Sequence, residues 1–156
     1  MSRPWAGARP GLAVLAGIAG ALANSLAIRA TRALGVEAGT GGLAQFTLAQ
    51  LRALGLHAPA RLGPAGQEVF HTGVGVLAAL AYALFARALL PGPRLVRALV
   101  FVQLLFLAQG LVVLPWLGKG CFGLGYGPWT PLWSFGLNAL FGVVLGLLYR
   151  APRRPA

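Results

Sequence analysis

The sequence predicts an all-α integral membrane protein: a bundle of four transmembrane helices, with a short amphipathic helix between spans one and two. Three observations carry this. Hydrophobic residues make up 58% of the chain and charged residues 10%, against ~45–50% and ~25% in soluble domains. A soluble fold needs polar surface to cover its core, so the shortage of charge is the more telling half. Apolar runs fall at about residues 11–30, 69–90, 96–117 and 132–149, each long enough at ~1.5 Å per residue to cross a ~30 Å hydrocarbon layer. Finally, His71, Gly75, Ala79 and Tyr82 share a spacing with Asn138, Gly142, Gly146 and Tyr149. At ~100° per residue such a set lies on one face of a helix. The shared pattern allows two parallel helical-hairpin repeats, related by an axis along the membrane normal.

The first run, Gly11 to Ile28, follows Arg3 and Arg9 and is interrupted only by Asn24 and Ser25. Ala21-Leu22-Ala23 could serve as a signal-peptide cleavage site. The apolar character resumes beyond it, however, and Ala13, Gly17 and Ala21 form a small-residue stripe suited to helix packing. A retained span is the expectation. Residues 29–67 form a more polar connection. Within it Leu43, Phe46, Leu48, Leu51 and Leu54, closed by Gly55 and Pro59, suggest the amphipathic helix, lying on the membrane surface or capping the bundle. An ordered loop is the plainer alternative.

The second span starts after Gln67 and Glu68 and ends at Arg87, where Pro91-Gly92-Pro93 breaks the helix. So short a turn makes the third span an antiparallel neighbour. Gln103 and Gln109 lie inside that span and Pro115 near its end. A glycine-rich loop from Gly118 to Pro131 leads to the fourth span, which Arg150, Arg153 and Arg154 close.

Thirteen Lys and Arg against Glu37 and Glu68 give a formal charge of +11. Nucleic-acid binding is set aside, because the arginines bracket apolar spans instead of lining a helix face. With four spans, the N-terminus, the Pro-Gly-Pro turn and the C-terminus share a side. That side holds Arg3, Arg9, Arg87, Arg94, Arg97, Arg150, Arg153 and Arg154. The other holds Arg29, Arg32, Arg52, Arg61 and Lys119 with both glutamates. The positive-inside rule then puts both termini in the cytoplasm. Trp116, Tyr126, Trp129 and Trp133 gather at the opposite interface.

A first span rich in small residues, a second opening with His71 and closing with Tyr82, and a last ending Gly142-x-x-x-Gly146-x-x-Tyr149 resemble a family of small four-helix bacterial inner-membrane proteins. That family is of unknown function. The resemblance implies the location and no activity. In the family's pattern the last span tends to open with His; Asn138 stands there in this chain, which argues against any function needing two histidines.

Among individual residues, Gly17, Gly75, Ala79, Gly142 and Gly146 are expected to pack helices. Spans two and four could meet through the last four. Asn24, His71, Thr72, Gln109 and Asn138 fall in the same half of their spans and form a candidate polar cluster, with Ser25 beside it. Interhelical hydrogen bonding is the plain reading; a small polar cavity or a metal or haem ligand are the alternatives. Glu68-x-x-His71 has di-iron spacing, but one other acid in the chain is too few. The chain has no Asp, no paired carboxylates and no phosphate-binding motif, so no catalytic, cofactor or metal residues are assigned and haem or pigment contact is unsupported. Cys121 reads as a loop thiol. The expected role is a non-enzymatic accessory subunit packing against the bilayer and other transmembrane subunits, or against itself. The alternative is a small oligomeric transporter or channel.

Overall fold

A computed structural model describes residues 8–35 and 41–150. Arg3, Glu37, Arg153 and Arg154, which entered the charge count, lie outside the described residues. The described residues hold five long helices and no strand. We label them α1 (Pro10–Ala33), α2 (Gly42–Ala53), α3 (Pro64–Ala86), α4 (Arg94–Trp116) and α5 (Thr130–Leu148). All except α2 are long and apolar enough to cross a membrane, as the four hydrophobic runs predict. No more than a third of each span's apolar window is buried within the protein. Leu15, Leu26, Val69, Leu77, Leu111, Val112 and Leu132 are all more than half exposed. So much uncovered hydrocarbon on long helices suits a lipid surround, and the chain is a multi-pass membrane protein.

Prolines start the helices. Pro10, Pro64 and Pro131 stand in the first turn of α1, α3 and α5, where the missing N–H is not needed and the fixed φ suits a helix. The expected amphipathic helix forms as α2. Leu54 closes it, followed by Gly55 at φ 78°, a left-handed value that glycine adopts without penalty. Its Gly42 packs on Leu114 and would-be neighbour Leu117, and the Phe46 ring meets Trp116 edge-on at 4.9 Å. It caps one end of the bundle.

Two spans carry a wide π turn, Tyr82–Ala86 in α3 and Gln109–Val113 in α4. In α4 the cause is Pro115, which cannot donate to the Leu111 carbonyl and crowds it; the wide turn just before absorbs the misfit. In α3 the Arg87 N–H bonds the Tyr82 carbonyl, five residues back, so the Ala83 carbonyl loses its usual donor. Arg87 Nε supplies one at 2.7 Å. The arginine side chain thus repairs the ladder that its own backbone skipped.

Helix α1 packs along α3 and α5, and α4 packs along α5; α3 and α4 meet chiefly near the Pro-Gly-Pro turn. The core is built from alanines (Ala13, Ala16, Ala79, Ala83, Ala98) with Val102, Phe141, Leu145 and the rings of Tyr82 and Tyr149. Small residues let the helix axes approach, so van der Waals contact replaces the hydrophobic drive that lipid removes.

The stripes therefore face other helices than expected. Gly75 lies against Ala21 and the Gly17 carbonyl of α1, and Gly17 against Val76 and Ala79. Gly142 faces Leu99 and Val102, and Gly146 faces Leu95 and Ala98, all on α4. Each stripe closes its own hairpin, and spans two and four do not meet through Gly75, Ala79, Gly142 and Gly146. What lies between them is the Phe141 ring, within reach of both Gly20 and Gly75.

Candidate functional site

Polar side chains inside the spans collect in two places, one toward each end of the bundle. The first lies between α1 and α3. Asn24 and Ser25 are buried on α1, and the backbone approach at Gly17 and Gly75 brings α3 close enough for His71 and Glu68 to reach them. One ring nitrogen of His71 donates to the Ala21 carbonyl, while its Nε2 is buried with no partner. Asn24 Oδ1 is likewise buried and unpartnered. One turn toward the helix end, the Ser25 hydroxyl bonds the Glu68 carboxylate, which also meets Arg29 at 3.5 Å. That ion pair is exposed at 69% and 37%, so it contributes at most ~1 kcal/mol.

Of the five residues expected to cluster, Asn24 and His71 stand on the two helices of this seam, each with a buried polar atom that has no partner. Asn138 donates from Nδ2 to the Ser134 carbonyl of its own helix at 2.8 Å, Gln109 opens the π turn of α4, and Thr72 is half-buried. Among the described residues no hydrogen bond joins Asn138 or Gln109 to His71. Gln103, not Gln109, bridges the second hairpin, its Nε2 donating to the Phe135 carbonyl at 3.3 Å. No three His, Cys, Asp or Glu side chains gather among the described residues.

The second collection sits at the end that the N-terminal segment shares with the Pro-Gly-Pro turn. Tyr82 and Tyr149 are each 1% exposed, and their rings meet edge to face at 5.9 Å. The Tyr82 hydroxyl donates to the Arg94 carbonyl at 3.2 Å, and the Tyr149 hydroxyl accepts from the Arg9 N–H at 3.2 Å. Each phenol thus ties the end of one hairpin to the start of the other. Arg97 donates from Nη1 to the Arg87 carbonyl at 2.7 Å, holding a helix C-terminus that would otherwise lack donors. The sequence showed both tyrosines in the repeated stripe; their latch role could not be read from the stripe, because a hydroxyl's partner is on another helix.

At the opposite end the glycine-rich loop folds under the bundle. Phe122 adopts φ 54°, and its ring fills the space beside Gly110 and stacks near Phe106, with centroids 5.3 Å apart. A left-handed phenylalanine costs ~1–2 kcal/mol, offset by burying the ring in the gap the π turn opens. Lys119 lies over the Tyr126 ring at 5.1 Å, and Cys121 is exposed.

What this arrangement does chemically is hold helices together. Four of the bonds, from His71, Tyr82, Arg97 and Gln103, end on backbone carbonyls of another helical segment, and Glu68 and His71 face the α1 seam. Comparison with known proteins finds no family model, no curated relative and no solved structure that matches the chain.

Proposed function

We propose that the chain is a non-enzymatic protein of the bacterial inner membrane, acting as a structural or accessory subunit that packs against partner helices in a larger membrane assembly, respiratory or photosynthetic. It would thus be of the kind that its small-helix pattern resembles. The observation that carries this reading is where the polar side chains of the spans end. Tyr82, Arg97, Gln103 and His71 bond backbone carbonyls of neighbouring segments, which restrains helix rotation and leaves broad apolar faces for lipid or other helices. Extraction in mild detergent followed by mass determination tests it. A stable hetero-complex is the expected result; a pure homo-oligomer or monomer overturns it.

The two-hairpin repeat belongs to the same proposal. Gly17 faces Gly75 as Val102 faces Gly142, and Tyr82 ties to Arg94 as Tyr149 ties to Arg9. Arg9, Ala13, Gly17 and Asn24 stand to Arg94, Ala98, Val102 and Gln109 at one constant separation. The pairing of hairpins is reciprocal, as an axis along the membrane normal requires. The excess of arginine at the tyrosine end supports a cytoplasmic location for both termini.

A second reading, an oligomeric transporter or channel with an outward polar cluster around His71, is favoured by one observation: Nε2 of His71 and Oδ1 of Asn24 are buried without partners. Two unpaired polar atoms in an apolar seam cost ~1–3 kcal/mol each, a cost that a transported polar guest would relieve. Solute flux in proteoliposomes, abolished by His71→Leu, would establish it; none in the wild type removes it.

A further inference from the structure

The glycine-rich loop makes a turn from Cys121 to Leu124, closed by the Leu124 N–H on the Cys121 carbonyl at 3.2 Å. Its centre is Phe122, at φ 54° and ψ 17°, followed by Gly123 at φ 79°. Two positive φ values in succession make this a type I′ turn, whose first central position ordinarily takes Asn, Asp or Gly. Phe122 is the one non-glycine residue with a positive φ among the described residues, and for so bulky a side chain that is an outlier. What holds it there is the ring. It lies against Gly110, where an added Cβ would stand 2.7 Å from Cε1 and closer still to Cδ1, and its centroid is 5.3 Å from that of Phe106. Gly110 belongs to the π turn of α4, a feature common at functional sites. The seat exists only because residue 110 is glycine.

Strained residues gather at clamps and switches, where the surrounding contacts must outweigh the strain. We propose that this turn is a two-position latch on the end of the bundle opposite the tyrosines. Docked, it is type I′ and the Phe122 ring fills the notch at Gly110. Released, it is type II: φ of Phe122 returns to about −60° while Gly123 keeps its positive value, and the ring leaves the notch. Both turn types keep the closing bond from Leu124 to Cys121. The left-handed strain favours release about 5- to 30-fold, and the contact with Gly110 and Phe106 favours docking, so the two positions are held in opposition. Release uncovers Gly110 and Phe106 near the end of α4. The latch depends on neither the accessory-subunit nor the transporter reading, so each can fail alone.

The test places 4-fluorophenylalanine at position 122 alone in the full chain, in mild detergent, and follows its fluorine resonance. The docked ring should resonate away from the free amino acid, because the Phe106 ring lies beside it. Warming, well below the unfolding temperature, should move the signal toward that of the free amino acid at the same temperature. Gly110→Ala sets a methyl group in the ring's seat and should shift the balance toward release about tenfold, carrying the signal most of the way. Gly73→Ala, in open space on α3, should leave it unmoved. Circular dichroism separates release from unfolding: the helix content of Gly110→Ala should match the wild type. A signal that stays fixed until the protein unfolds overturns the latch, as does one that Gly110→Ala leaves in place. Loss of helix in Gly110→Ala also overturns it, because the contact then belongs to the fold rather than to a switch.

Discussion

Replacing Gly17 with alanine sets a methyl group against backbone. An added Cβ would lie 2.7 Å from the Val76 Cα and 2.8 Å from the Gly75 carbonyl oxygen, where carbon contacts are comfortable at ~3.5–4 Å. Neither atom belongs to a side chain that can turn away, so α1 and α3 must part by roughly 0.7 Å at this point. That loosens Ala21 on Gly75 and Gly17 on Ala79. Overpacking of this kind costs ~1–3 kcal/mol, and alanine returns up to ~1 kcal/mol in helix propensity. The net loss is about 1–2 kcal/mol, or roughly 2–8 °C in Tm for a chain of this size. Circular dichroism of thermal unfolding in mild detergent measures it. Gly73→Ala is the control, because nothing lies within 4 Å of that position and the propensity gain should stand alone. Gly142→Ala should fall between them: its nearest contact, Val102 Cγ2 at 2.6 Å, is a side chain, though Leu99 Cα follows at 3.3 Å. A Gly17→Ala protein as stable as Gly73→Ala would refute the close approach of α1 and α3 and the seam argument with it.

Tyr82→Phe and Tyr149→Phe each remove one hydroxyl bond and keep the ring contact, so each should cost ~1 kcal/mol. The double variant should depart from the sum by ~0.5 kcal/mol or more, because the two rings touch, again by thermal unfolding; no loss in either would deny the latch. His71→Leu should cost less than ~1 kcal/mol, because the Ala21 carbonyl keeps its place in the α1 ladder and the unpartnered Nε2 disappears; a protein that no longer folds would show a larger role. Cys121, the one cysteine of the chain and exposed, lies at the end opposite the tyrosines. A membrane-impermeant maleimide should label it in spheroplasts and not in inside-out vesicles, and the reverse pattern would invert the proposed orientation.

Much of the architecture is legible in the residues themselves. A bilayer imposes span length, so long apolar runs bounded by Arg87, Pro91-Gly92-Pro93 and Arg150 already mark the four long helices, although α3 begins at Pro64, ahead of its apolar run, because the proline starts the helix there. Leu43, Phe46 and Leu48 mark α2 by their period, because one face must be covered. The candidate site was less legible. His71 reaches the Ala21 carbonyl on α1, but Asn138 turns back to Ser134 and Gln109 is taken up in a π turn that only Pro115 announces. The bonds that tie the bundle, from Tyr82, Arg97 and Gln103 to carbonyls and from the Arg9 N–H to Tyr149, all use a backbone group, which no sequence motif distinguishes.

By itself, then, the sequence determined that there are four helices long and apolar enough to cross a membrane, and where each carries small residues that allow close approach. Tertiary structure alone decided the pairing: Gly75 and Ala79 face α1, Gly142 and Gly146 face α4, and Phe141 occupies the space where the two stripes were expected to touch. The reason is physical. Periodicity belongs to one helix and is written along it, whereas a packing partner is chosen by the fit of two surfaces, in competition with every other surface the chain brings near.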